Sequence, residues 1–538
     1  MSPPTHFSIR MQTRLLLAAA VLLGAPIAHA QNEGPPPPLA TDWHLLDPAD
    51  GSSIGIGATR AYEMLAGRTP TPLVVAVIDS GVDLSHPDLA PVAWTNTDET
   101  PGDGVDNDGN GYIDDVHGWS FLGGADGRNI EHETLEVARL ARMCTDGTAP
   151  AGTDCAAVAA DLAERRSTYE QQRTQMAPIF AQMFSADSLL SATFPGVYSG
   201  TNAAALDAAG RRDVAQAQAM IGFLAANGAS VADLRAFRDQ IDSQLTYGLN
   251  PDYNIRAEVI GDDPTDTSDR AYGNADVTGP DASHGTGVAG LIAAVRGNGV
   301  GIDGVAPNTA ESQPVRIMAL RAVPDGDERD KDVANAIRYA VDNGARIINM
   351  SFGKGFSPQK SAVDEAVRYA TERGVLLVHA SGNDGNDLEV AAGNANYPTA
   401  YYGNATGTDR SSTWLEIGAS APGVQALAAG FSNYGQTRVD LFAPGASVTS
   451  VAPGGGVQTA DGTSFAAPVT AGVAALIMAY FPDLSAVQVR QILMDSATRY
   501  AEAEVAQPGD GALVPFGTLS VSGGVVNAAE AVRLAMAQ

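Results

Sequence analysis

Positive charge is scarce in this chain: 32 Lys and Arg stand against 62 Asp and Glu over 538 residues, a formal net charge of −30. So acidic a surface repels phosphate backbones and anionic lipid, which argues against nucleic-acid and membrane-surface partners. Aromatic residues make up only 6%, a composition that does not suggest a nucleic-acid reader either. Cysteine is rarer still. Cys144 and Cys155 are the only two, separated by a stretch rich in Gly, Pro and Thr. Their spacing fits no zinc pattern, and in an exported chain a disulfide is the expected state. Membrane-spanning length is missing as well: the run LLLAAAVLLG behind Arg10 and Arg14 is too short, and no later segment is expected to cross a bilayer.

That short run, followed by Ala28-His29-Ala30, has the form of an export signal cleaved after residue 30. Residues 1–30 are therefore read as a signal peptide and 31–42, with Pro35 to Pro38, as a stiff leader. The mature protein is expected in the periplasm or outside the cell. With 44% hydrophobic and 17% charged residues, the remainder can bury a large core.

From Leu73 onward, continuous aliphatic runs such as LVVAVID, VRIMAL, RIINMS and VLLVHAS alternate with amphipathic stretches such as DVANAIRYAVDNGA. Strands of that kind are buried on both faces, and their alternation with helices predicts an α/β fold, a parallel sheet flanked by helices. Between about Asn129 and Tyr253 the strands stop. Val158, Leu162, Tyr169, Met176 and Phe180 form one helically spaced stripe; Val231, Leu234, Phe237, Ile241 and Leu245 form another. Residues 131–255 are read as a helical insertion, either narrowing a substrate cleft or attached passively.

The chemistry is expected in three short strings. In DGTSFAAP, Ser464 opens a strongly apolar helix, where unpaired N–H groups and the helix dipole favour negative charge. A hydroxyl there is either a plain cap or a nucleophile, and a nucleophile needs a base. His284 in SHGTGVAG stands at the start of a helix of small residues. His86 beside a proline suits a structural role, and His379 within a strand suits a satisfied core position. The base in turn needs a carboxylate to orient it. Asp79 ends the strand LVVAVID, at the edge where open α/β sheets gather their sites.

VIDSGVD, HGTGVAG and GTSFAAP, in the order Asp79, His284, Ser464, resemble the three active-site motifs of the subtilisin-like serine peptidases, the subtilases. NMSFG, ASGND and the closing GVVNAAEAV extend the resemblance over residues 43–130 and 256–538. It implies an exported endopeptidase acting on polypeptides through an acyl-enzyme. Ser464 would be the nucleophile, His284 the base and Asp79 its orienting partner. Asn383 would be an oxyanion donor, and Ser351 and Gly353 would lie on the segment that pairs with substrate backbone. An inactive relative kept as a binding or scaffold module is the alternative, although no motif residue is missing.

DNDGNGYIDD places Asp106, Asp108 and Asn110 at alternating positions, with Gly111 at the turn and Tyr112 and Asp114 beyond it. This matches the start of an EF-hand-type loop, so structural calcium is expected, against an acidic turn holding no metal. The twelfth place is His117 rather than Glu, and Asp115 is the expected substitute. A second acidic stretch, Asp262 to Asp281, is expected to be a solvated loop. Two further features depart from the family pattern. Gly287 stands where a second histidine is common, and residues 31–72 leave no room for an inhibitory prodomain ahead of the Asp79 strand.

Overall fold

The computed structural model describes residues 39–51, 53–390, 394–404 and 407–538. The expected signal peptide and Pro35 to Pro38 lie outside the described residues. The chain forms two compact units, one of residues Leu39–Glu136 with Asn254–Gln538, the other of Val137–Tyr253.

The first unit is built on a sheet. Its strands, in chain order, are β1 (Leu73–Asp79), β2 (Gly118–Ser120), β3 (Val315–Arg321), β4 (Ile347–Met350), β5 (Leu376–Ala380), β6 (Trp414–Ser420) and β7 (Leu441–Pro444). There follow a hairpin of β8 (Val448–Ala452) and β9 (Gly456–Ala460), then β10 (Thr498–Arg499), a small pair β11 (Glu504–Ala506) and β12 (Leu513–Pro515), and β13 (Gly524–Val525). Among the described residues, nine strands share the main sheet in the order β10-β13-β7-β6-β5-β4-β1-β3-β2. Every pairing is parallel except that of β10 with β13. The α/β expectation holds.

Alternate residues of each strand serve opposite layers. Val75 and Val77 of β1 join a core with the helices Ser283–Ala293 and Thr463–Tyr480, whereas Ala76 and Ile78 join one with the helices Asp330–Asp342 and Lys360–Glu372. Both faces are covered, which is why these strands read as unbroken apolar runs. The chain passes from β1 outward to β2 and β3, then crosses to β4 on the other side. β1 is thus the switch point of the sheet, and Asp79 is its last residue.

The helix Thr463–Tyr480 is long and apolar enough, by length and composition, to cross a membrane. It is instead buried in the core from Thr463 to Ala479, which is why it is hydrophobic all round.

The second unit is helical. Cys155–Thr193, Arg212–Ala226 and Val231–Ser243 enclose a core containing Met176, Phe180, Leu224 and Phe237, with Tyr169 and Leu245 packed at its margin. Both apolar stripes are packing faces. Asp154 accepts from the N–H groups of Ala156 and Ala157 at the first helix start. Ser230 and Asp233 form a capping box at the last. Cys144 and Cys155 are bridged by a disulfide that joins the helix Glu136–Asp146 to the one beginning at Cys155.

Candidate active site

The turn after β1 and the helix Ser283–Ala293 meet backbone to backbone. A Cβ on Gly285 would lie 2.2 Å from the Gly81 carbonyl oxygen, and Gly81 itself sits at φ +136°. Only glycine permits this approach, and it brings His284 onto the strand end. Nδ1 of His284 lies 2.7 Å from Oδ1 of Asp79, which also accepts from the Ser80 N–H at 2.7 Å. Both side chains are buried. Burial pulls the His284 pKa down, but the charge and hydrogen bond of Asp79 outweigh it and leave it raised above the ordinary value.

Ser464 is the second residue of the helix Thr463–Tyr480 and is buried at its mouth. Its neighbour Phe465 stands edge-on to the His284 ring, with centroids 5.6 Å apart. A Cβ at position 287 would sit 3.2 Å from that phenyl ring and 2.9 Å from Nε2 of Gln458, so this packing leaves little room for a side chain at Gly287. At Gly462 a Cβ would come 2.7 Å from the Ser464 hydroxyl.

Pro468 lies four residues after Ser464 and has no N–H for the Ser464 carbonyl. The Ser351 hydroxyl replaces it at 2.8 Å. Asn383 holds the other side of the helix start: its Oδ1 accepts from the N–H and hydroxyl of Thr463 at 2.8 and 3.0 Å. An N–H can be accepted only by oxygen, so the amide is oriented and its NH2 group remains as the donor. Thr463 and Pro468 gave no separate signal in the sequence, because their roles depend on partners far along the chain. The same holds for Arg321, buried beside Asp79 on β3, whose guanidinium donates to the Ser80 carbonyl at 2.9 Å.

A model of the subtilase family matches residues 71–511. The chain belongs to the subtilase family. Alkaline elastase YaB from Bacillus sp. (strain YaB) is 37% identical over 215 residues, which cover 40% of this chain and 50% of that protein. Subtilisin Savinase from Lederbergia lenta is 38% identical over 252 residues, 46% of this chain and 79% of the relative. The chain thus spans about half the length of the first of these relatives. A solved protease from Pseudoalteromonas arctica aligns over 92% of this chain and 96% of its own, at 19% identity and a TM-score of 0.45.

Other described histidines of this subtilase, His86 among them, are engaged away from the site. His86 accepts from the Asp88 N–H through Nδ1 and meets the Gly456 carbonyl through Nε2, a structural place as expected. The acidic loop gathers only part of the expected set. Carboxylate oxygens of Asp106 and Asp108 lie within 4.8 Å of one another and of Glu99, which the loop pattern did not include. The Asp114 carboxylate turns away to the N–H groups of Gly102, Asp103 and Gly104. Asn110 Oδ1 accepts from the Tyr112 N–H, and the Tyr112 ring is buried among Trp119, Phe121 and Tyr339, so that its backbone carbonyl is the group its place in the loop pattern would use. Asp115, the expected substitute, is occupied by Asn96, Asn110 and the Tyr339 hydroxyl.

Nor is the stretch Asp262 to Asp281 a solvated loop throughout. Asp262 is buried in ion pairs with Arg256 and Lys331, because both cations are themselves buried and need a counter-charge.

Proposed function

We propose that this subtilase is an exported serine endopeptidase that cleaves polypeptides through an acyl-enzyme. Ser464 attacks the scissile carbonyl, His284 takes the proton and returns it to the leaving amine, and Asp79 holds the imidazole and stabilises its charged form. The Asn383 amide and the Ser464 N–H receive the oxyanion at the helix start. The backbone of Ser351 and Gly353 pairs with the extended substrate, while the Ser351 side chain steadies the Ser464 carbonyl.

The single observation that carries this reading is the buried His284–Asp79 bond of 2.7 Å, packed against the residue after Ser464. Family membership supports it. A fluorophosphonate probe should label Ser464, and Ser464→Ala should abolish both labelling and casein cleavage. A variant that still cleaves casein would refute the assignment.

Calcium is the cation the acidic loop suits. Three carboxylates within 4.8 Å repel one another unless a cation lies among them, and an all-oxygen set favours a hard ion. Glu99, Asp106 and Asp108 would hold it, its contribution being to stabilise the loop. Calcium should raise the melting temperature and a chelator lower it; indifference to both would remove the ion from this reading.

A further inference from the structure

We propose that His379, together with Glu416, is a positioning residue that fixes the substrate-pairing segment relative to the oxyanion asparagine. The inference rests on the peptidase reading above. His379 lies on β5 in register with Met350 of β4 on one side and Glu416 of β6 on the other. It is fully buried, with its ring between those of Phe352 and Trp414.

Both ring nitrogens are engaged. Nε2 lies 2.9 Å from the Phe352 carbonyl oxygen, and Nδ1 lies 2.9 Å from Oε1 of Glu416. A carbonyl oxygen only accepts, so Nε2 carries a proton. Glu416 is fixed in turn: its Oε2 accepts from the Trp414 indole N–H at 2.8 Å, and its own N–H donates to Asp440 at 2.9 Å. The imidazole is therefore aimed at Phe352 by a partner that cannot swing away.

Phe352 is the residue between Ser351 and Gly353, just beyond the end of β4. Asn383 lies four residues after His379, beyond the end of β5. One side chain thus ties the segment that receives substrate backbone to the strand that delivers the oxyanion donor. A core histidine needed only for folding would not have to donate to this carbonyl. Loss of the bond frees the segment to shift, and substrates that pair along it should bind less well.

The test compares wild type, His379→Leu and His379→Gln on two substrates: a tetrapeptide anilide that reaches the segment, and nitrophenyl acetate, which is too short to do so. His379→Leu should raise KM for the anilide at least tenfold with kcat changed less than threefold, while ester turnover per titrated site changes less than twofold. His379→Gln retains an N–H for the Phe352 carbonyl and should recover much of the loss; if the leucine variant does not fold, His379→Met, which also lacks an N–H, takes its place with the same expected rise in KM. Anilide KM within twofold of wild type in both variants, or anilide and ester rates falling together, would overturn the proposal. Wild type that neither takes a fluorophosphonate label nor cleaves the anilide would overturn the peptidase reading itself, and is seen before any variant is made.

Discussion

The sheet unit holds deeply buried ion pairs beside exposed ones such as Arg128 with Asp126, whereas among the described residues the pairs of the helical unit are at least 22% exposed. In the sheet unit, Arg256 with Asp262 and Asp332, Lys331 with Asp262, Lys354 with Glu136, and His284 with Asp79 have side chains no more than 5% exposed. In the helical unit, Arg142 with Asp252, Arg166 with Glu170 and Arg238 with Asp239 are all at least 36% exposed. Burial decides what such a pair does. A buried pair gains little net stability yet is ruinous to break, so it enforces one geometry. An exposed pair is screened and dispensable.

The sharpest way to break that contrast is Asp332→Ala. It removes both bonds to the Arg256 guanidinium, at 2.7 and 2.8 Å, and the acceptor of the Tyr272 hydroxyl at 2.6 Å. Asp262 still pairs with the Arg256 guanidinium at 2.8 and 2.9 Å, but it also serves Lys331. Losing the second carboxylate should therefore cost about 3 kcal/mol, the low end for a broken buried pair, read as a lower denaturation midpoint. A loss below about 1 kcal/mol would mean that water reaches the site and the pair is not buried in solution.

Asn383→Ala tests the same unit through catalysis. Removing one oxyanion donor costs about 10²–10³ in kcat in the relative subtilisin, and the same range is expected here, with KM little changed. The variant also releases the Thr463 N–H, so a fall in melting temperature should accompany it. Loss of stability without loss of kcat would leave Asn383 as a helix cap only.

In the helical unit the strongest covalent constraint is the Cys144–Cys155 disulfide, which closes a loop of sequence separation 11. Opening it should cost about 2–3 kcal/mol by the loop-entropy relation. Melting with and without reductant measures it, and a Cys144→Ser/Cys155→Ser variant should ignore the reductant.

The buried pair at the site also sets a pH dependence. Burial lowers the His284 pKa, Asp79 raises it by more, and the net value is raised above 6.5. A base must be neutral, so the acid limb of kcat/KM should have its midpoint above pH 6.5, with rates falling tenfold per unit below it. The stability contribution has the opposite sense. It is complete below about pH 6.5 and drains away as pH rises through the raised folded value. Asp79→Asn should slow turnover and flatten that drain; an acid limb below pH 6.5 would contradict the geometry.

The strings around Asp79, His284, Asn383 and Ser464 were legible because the structural feature that carries each is local: a strand end, a helix start, glycines where backbones touch. The alternation of apolar runs with amphipathic stretches revealed the sheet for the same reason. What the sequence concealed depends on partners distant along the chain. Glu99 joins Asp106 and Asp108 only because the loop folds back on it, outside the window in which EF-hand spacing is read. Asp262 looked solvated because nothing nearby announces Lys331, 69 residues later, as its partner. His379 was correctly placed in the core, but its bond to Phe352 spans 27 residues and adjacent strands.

The smallest effect belongs to the other side of the contrast. Arg166 and Glu170 lie one turn apart on the helix Cys155–Thr193, 3.6 Å from each other and open to solvent. Arg166 has a second anchor, the Leu249 carbonyl at 2.7 Å, so losing the glutamate charge leaves its position held. Glu170→Gln keeps the size and helix propensity of the side chain and should change stability by no more than about 0.5 kcal/mol. Whatever change remains should vanish as salt is raised, since ions screen an exposed pair but hardly reach Asp332. A loss that is both larger than 1 kcal/mol and insensitive to salt would show that exposure does not separate the two classes of pair, and the comparison between the units would fail at its weakest member.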